Sequence, residues 1–199
     1  KYRKIGYQIP TTKGRSYARN MGVKISNCQW LLFSQSNVVF NKYIVKEYSR
    51  LIARNSFVAC MGKIVYESKD FVFEKYLNNK KRGINRFRNN AVVNYKYLIL
   101  GNCLILKSVF TKTSFNERLV GYGGGDLEFG YNINRLYPNQ IRCCSKAVVI
   151  RKNHPGFKKQ ICRYYSFGKN NFNFIDKKNQ ISLLGNFYYL SNFKFVVVV

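Results

Sequence analysis

The spacing of apolar residues divides the chain into short helices and strands. Residues 41–53 carry Ile44, Val45, Tyr48, Leu51 and Ile52 at intervals that lay them on one face of a helix. From Gly14 onward, Tyr17, Ala18, Met21 and Ile25 form a similar stripe, with Thr11 or Thr12 placed to cap it. Apolar runs of strand length occur at residues 30–33, 57–65 and 141–150, the first of them reading as a buried strand that delivers the polar tip 34–37. Residues 1–10 alternate in part and predict another strand with its exit loop. Residues 95–100, the Gly101-Asn102 pair and residues 103–107 predict strand, tight turn and strand, before a short helix over 108–112. Residues 71–77 predict a short amphipathic element, and 157–167 a helix with Phe157, Ile161, Tyr164 and Tyr165 inward. The polar run 78–90 reads as a loop, and 170–199 carries no readable motif. No internal repeat is present, and 199 residues form one domain with a real core.

One stretch stands apart from this pattern: Gly121 to Tyr131, reading GYGGGDLEFGY. A glycine cluster lets backbone turn sharply and approach a ligand closely, so a carboxylate directly after it is presented at the mouth of a cleft. Asp126 holds that place and reads as the N-cap of a helix continued by Leu127, Gly130, Ile133 and Leu136. The chain has only eight acids, which makes one so placed stand out. By themselves these residues also fit a plain glycine turn with a capping aspartate.

The stretch resembles the G-W-G-G-E-D-x-E/D segment of inverting family 2 glycosyltransferases and of the galactosyltransferase C-terminal region. Tyr122 matches the aromatic, Gly123 and Gly124 the glycine pair, and Asp126 the catalytic base, while Gly125 replaces an acid. Four further pieces follow the family's order: 14–22 (GRSYARNMG), 30–40, Gly101-Asn102 and His154. The resemblance covers residues 13–155 and leaves 156–199 as an unassigned extension. It implies a GT-A-like, three-layer α/β/α domain with a mixed sheet, truncated because the chain begins after the nucleotide-binding βαβ unit that normally opens the fold, either as a fragment or as a trimmed fold.

The implied reaction is inverting transfer of a sugar from a nucleotide-sugar donor, a UDP-sugar, to a hydroxyl of a glycan or lipid-linked acceptor in surface polysaccharide synthesis. In it Asp126 takes the acceptor's proton and Tyr122 stacks on the acceptor sugar. Gly123 and Gly124 permit close approach, and Asn102 and Glu128 lie on the acceptor side. Arg19 and Asn20, with Gln35 and Asn37, lie at the donor phosphates. His154 falls where related enzymes complete a site for Mn²⁺ or Mg²⁺. Gln35 and Asn37 stand in place of the family's D-x-D aspartates, and Asn116 replaces a further acid. Amides bring no negative charge to a hard cation, so metal affinity falls steeply.

Composition adds a charge argument. Thirty-five Lys and Arg against eight Asp and Glu give a net charge of +27, which attracts polyanions: nucleic acid, anionic lipid head groups or phosphorylated substrates. The abundance of Lys, Asn, Phe, Tyr and Ile, all with A/T-rich codons, offers a second origin for that charge. The six cysteines form no C-x-x-C pair and read as packed free thiols of a reducing compartment. No signal peptide and no apolar run of membrane-spanning length is visible, which places the protein in the cytoplasm, peripheral at the inner face of the membrane. Two rivals stay open: a catalytically inactive relative, and a basic nucleic-acid-binding module. Against the second, no helix-turn-helix, zinc or RNP-type pattern occurs.

Overall fold

The computed structural model describes residues 14–119, 121–185 and 187–191. The expected strand at 1–10, and the capping threonines, lie outside them. Among the described residues the elements run α1 (Gly14–Ile25), β1 (Trp30–Ser34), β2 (Val38–Phe40), α2 (Ile44–Arg54), β3 (Ala59–Ser68), α3 (Phe71–Leu77), β4 (Asn102–Leu106), α4 (Gly125–Leu136), β5 (Ile141–His154), α5 (Phe157–Asn170), α6 (Lys177–Leu184) and α7 (Phe187–Ser191). The strands form one mixed sheet in the order β1-β4-β3-β5-β2, in which β3 and β5 are parallel and the other pairs antiparallel. The fold is α/β, as the resemblance implies.

The two central strands are not continuous partners. Gly62 pairs with Cys144, but the next residue, Lys63, pairs with Val148, so residues 145–147 bulge out of the ladder. Such a break leaves backbone carbonyls without ladder donors, and the side chain of Asn102 supplies them. Its Nδ2 donates to the carbonyls of Lys63 (3.0 Å) and Ala147 (2.9 Å), while its Oδ1 accepts from the Tyr48 hydroxyl (2.8 Å). Gly62 is required at this crossing, because a Cβ there would lie 2.6 Å from the Ala147 carbonyl and collide with the Asn102 amide and the Tyr48 hydroxyl. Tyr48 comes from α2, whose apolar stripe Ile44, Tyr48 and Leu51 is buried as its spacing predicts. Burial pushes the Tyr48 hydroxyl well above its ordinary pKa, so it stays a donor.

Alternation fails across this break, and contacts set the faces: Asn102, Gly62 and Cys144 meet α2, whereas Met61, Ile64 and Tyr66 line one hollow on the other side, where Cys103 and Arg151 lie within electrostatic reach of Asp126. Helix α4 covers this second face through Phe129 and Ile133. Phe129 stacks with Phe115 (ring centroids 4.1 Å apart) and Phe110 (5.2 Å), and Phe33 of β1 closes the cluster. Gly130 allows α4 to reach the loop after α3, since a Cβ there would lie 2.8 Å from the Tyr95 carbonyl.

Several expected elements differ. β1 is an edge strand, half-buried with Leu32 exposed, rather than a buried one. Residues 95–97 form a 3-10 turn instead of a strand: the Asn94 side chain accepts from Lys96 N–H at its start, and the Tyr95 hydroxyl donates to Asn179 of α6 (2.8 Å). Helix α5 is present but rotated: Phe157, Ile161, Tyr164 and Tyr165 are exposed, and Gln160 is buried. The unread stretch after 170 contains α6 and α7. Of the cysteines, all free, Cys60, Cys103, Cys143 and Cys144 are buried, while Cys28 and Cys162 are exposed.

Removing the Asn102 amide leaves a buried hydroxyl and two carbonyls unpaired. Asn102→Ala is expected to lose about 3 kcal/mol of unfolding free energy, and Tyr48→Phe about 1–2 kcal/mol, in urea titrations followed by circular dichroism. Wild-type midpoints in both variants would show that the strand break closes without them.

Candidate functional site

The sequence concentrates its unusual chemistry in the glycine stretch, and the structure shows what fixes it. Gly121, Gly123 and Gly124 all have positive φ (78°, 89° and 88°), a conformation that L side chains rarely adopt. Gly124 is the N-cap of α4, so Asp126 is not the cap. It lies in the first helical turn, where its carboxylate accepts from the backbone N–H of Leu100 (3.1 Å) and pairs with Arg19 (3.2 Å). The Asp126 side chain remains 33% exposed, which leaves it open to a ligand. Arg19 lies over the Phe115 ring (5.4 Å), so the ion pair is anchored to the aromatic core beneath α4. Of the residues assigned to donor and base, the structure thus brings Arg19 and Asp126 into contact.

The glycines themselves face protein. A Cβ on Gly123 would meet the Phe167 ring at 2.8 Å, and one on Gly124 would meet Phe167 at 3.1 Å and Ile175 at 3.4 Å. Asn171, just after α5, donates to the carbonyls of Tyr122 (3.2 Å) and Gly123 (2.9 Å). This explains the rotation of α5. The turn exposes unpaired carbonyls, so the helix covering it presents the polar Gln160 and the following Asn171 together with Phe167. The close approach that Gly123 and Gly124 permit in this structure is that of Phe167, not of an acceptor. The Tyr122 hydroxyl accepts from Gln160 (2.9 Å), and its ring lies under two guanidinium groups, Arg163 (5.3 Å) and Arg15 (5.9 Å). Arg15 also donates to the Gly121 carbonyl.

The remaining expected residues are dispersed. Asn102 does not line an acceptor cleft: it is fully buried and turned to the α2 face by the strand break. Both ends of the Asn20 amide hold the segment after Phe115, accepting from Phe115 N–H (3.0 Å) and donating to the Phe115 carbonyl (2.9 Å) and Glu117 (2.8 Å). Asn20 therefore positions a loop rather than offering itself to a phosphate. Gln35 is half-buried beside Gly101, on the Asp126 face of the sheet. Asn37 donates to the Lys152 carbonyl (3.0 Å) and closes the β2–β5 edge. Glu128 is half-buried, and burial raises its pKa while the Asn116 amide (2.9 Å) opposes that rise.

His154 ends β5 and is buried at 7% exposure, edge-on to Tyr66 (4.9 Å) and tilted against Phe73 (5.9 Å). Its Nδ1 faces the Pro155 carbonyl at 2.8 Å. Burial, followed by the charge of Arg151, pulls its pKa down to about 4, with Arg163 and Arg82 acting in the same direction. These residues do not fit a divalent cation. Asn37 is engaged by backbone, and among the described residues no group of three His, Cys, Asp or Glu could hold a metal.

Sequence reasoning missed Arg151 and Arg163. Arg151 is half-buried, lies opposite Tyr66 in the sheet, and carries an Nε that is shielded from solvent with no hydrogen-bond partner. Burial lowers its pKa, the charge of Arg163 adds to that, and the charge of Asp126 opposes it. No motif marks it. The only signal in the chain is an arginine inside a long apolar strand.

His154 is the sole histidine, so one imidazole signal reports on this pocket. Its NMR titration is expected to have a midpoint near 4 rather than 6.5. Between those values the unfolded chain binds a proton that the folded one refuses. Stability therefore falls as pH drops through the window, by roughly 2–3 kcal/mol, and His154→Gln removes that part of the pH dependence. A midpoint near 6.5 would place the ring in solvent.

The sequence matches no family model and no curated protein. Among solved structures, residues 1–349 of S. aureus TarS, a glycosyltransferase, align with a TM-score of 0.52 at 16% identity, over 68% of this chain and 39% of that one. A mycobacterial protein aligns with a TM-score of 0.45 at 16% identity, over 74% of this chain and 47% of that one. The chain spans less than half the length of either. The likeness to TarS shows a glycosyltransferase-like fold, an α/β domain built on a mixed sheet.

Proposed function

We propose that the chain acts as a GT-A-type, family 2-like glycosyltransferase, moving a sugar with inversion from a UDP-sugar to a hydroxyl of a glycan or lipid-linked acceptor. The observation that carries this reading is the setting of Asp126. Its carboxylate is held by Leu100 N–H and Arg19 at the end of a positive-φ glycine turn, partly exposed, on the sheet face that also carries Gln35, Tyr66 and Arg151. A general base must be fixed in direction yet reachable by the proton it takes, and two tethers leave the carboxylate with free lone pairs.

In the proposed reaction the acceptor oxygen attacks the anomeric carbon while its proton passes to Asp126. The bond from that carbon to the diphosphate breaks, and UDP leaves with the electron pair. Arg19 orients the carboxylate, and Tyr122, braced by Gln160, offers an aromatic surface at the same rim. Glu128, two residues further along α4, stands beside Asn116 as a secondary polar contact. Among the described residues no helix is long and apolar enough to cross a membrane. A lipid-linked acceptor would therefore be met at a surface.

The test is consumption of a panel of UDP-hexoses and UDP-N-acetylhexosamines followed by NMR, with water or added glycans as acceptor. Wild type is expected to release UDP and sugar from at least one donor, and Asp126→Asn to slow this by about 10²-fold or more, with an unchanged melting temperature. Equal rates in the two proteins, or no turnover of any donor, would remove the assignment.

A further inference from the structure

The register of β5 sets a long cationic side chain on the sheet face toward Asp126 and Tyr122, the face of the candidate cleft. Arg151 pairs with Tyr66 on one side and Val38 on the other, so it rises from an interior strand rather than from an edge. Its Nε is sealed from solvent without a partner, an arrangement that ordinarily costs stability unless something fills it. Around it stand further guanidinium groups. Arg163 and Arg15 flank the Tyr122 ring at 5.3 and 5.9 Å, and Arg82 lies over Tyr76 at 4.6 Å, on the side toward Tyr66 and His154.

None of these four arginines has a carboxylate partner among the described residues, where the ion pairs are Arg19–Asp126, Arg50–Glu47 and Lys152–Glu67. These arginines share the region with one carboxylate, Asp126, which is already paired with Arg19, so a further anion would relieve their mutual repulsion. Guanidinium forks suit phosphate oxygens, and the Tyr66 and Tyr122 hydroxyls add neutral groups beside them. The same positive charge repels a divalent cation from the neighbourhood of His154.

We infer that this cleft binds a diphosphate directly through Arg151, Arg163 and Arg15, so that guanidinium groups take the charge-neutralising place of a metal ion. The inference rests on the sugar-transfer reading for its natural ligand, the diphosphate of the donor, which Arg151 meets from the sheet and Arg163 and Arg15 from the Tyr122 rim. It does not rest on that reading for the anion site itself.

Calorimetric titration of the whole chain with inorganic pyrophosphate, and separately with UDP, tests it in EDTA and again with Mn²⁺. Saturable binding of both is expected in EDTA. Arg151→Gln should weaken it by about tenfold or more, and Arg163→Gln by about three- to tenfold. Arg163 is on a surface helix, so its variant keeps the test valid should Arg151→Gln melt early. Binding that appears only with Mn²⁺, or that both variants leave unchanged, overturns the inference. So does preference for a single-stranded oligonucleotide over pyrophosphate that Arg151→Gln does not alter. Metal-free pyrophosphate binding with no UDP-sugar turnover keeps the anion site and removes the sugar-transfer reading. Sugar turnover in a protein that binds pyrophosphate and UDP only with Mn²⁺ does the reverse.

Discussion

The Asn102–Tyr48–Gly62 crossing is the constraint on which the rest of the molecule depends. Two parallel central strands that slip by three residues cannot share one ladder, and a buried slip would strand several carbonyls. One amide side chain, one hydroxyl from the helix behind and one residue without a Cβ resolve this together. The slip also sets the course of everything after it. It places Tyr66 opposite Arg151 and brings His154 back against Tyr66 at the end of the sheet. With a straight ladder the guanidinium of residue 151 would be aligned three positions away.

On the other face, the glycine turn works as a joint between helices rather than as an open lip. Asn171 and Gln160 pair its carbonyls and its tyrosine, and Phe167 fills the space that side chains at 123 and 124 would take. Asp70 adds a second tie, accepting from Phe73 N–H at the start of α3 and from Phe157 N–H at the start of α5. Those two bonds hold its carboxyl below the usual range, the one to Phe157 contributing most. The placement of α5, and with it of Arg163 beside Tyr122, follows from these contacts. The side of Asp126 left exposed is what remains once that helix is seated.

Helix α2 and the runs that became β3 and β5 were legible because their patterns are strong and local. The rotation of α5 was not, since its aromatic stripe is the more apolar face and only the unpaired carbonyls of a distant turn reverse the choice. Helix α6 escaped notice for a related reason: its buried residue is Asn179, held by the Tyr95 hydroxyl, so apolar periodicity carries no signal there. At the candidate site, the motif pointed to Asp126 and Arg19, and the two are in contact. It misplaced Asn102, because a glycine–asparagine pair reads as a surface turn until the strand break behind it is known. Arg151 left no trace, as its meaning comes only from its neighbours across the sheet.

The scarcity of acids gives the charge of the chain a structural meaning. Each of the eight carboxylates has a definite partner. Asp126, Glu47 and Glu67 pair with cations. Asp70, Asp176 and Glu74 accept from backbone N–H groups at helix starts or strand ends. Glu117 and Glu128 are held by the amides of Asn20 and Asn116. Most of the 35 basic side chains point into water, where solvent and salt screen them and no counter-ion is needed. Arg151 uses that route only in part, because it is half-buried and its Nε is sealed from solvent. Asp126, the carboxylate within electrostatic reach of it, is already paired with Arg19. The charge left over on this face is the one that the proposed anion would balance.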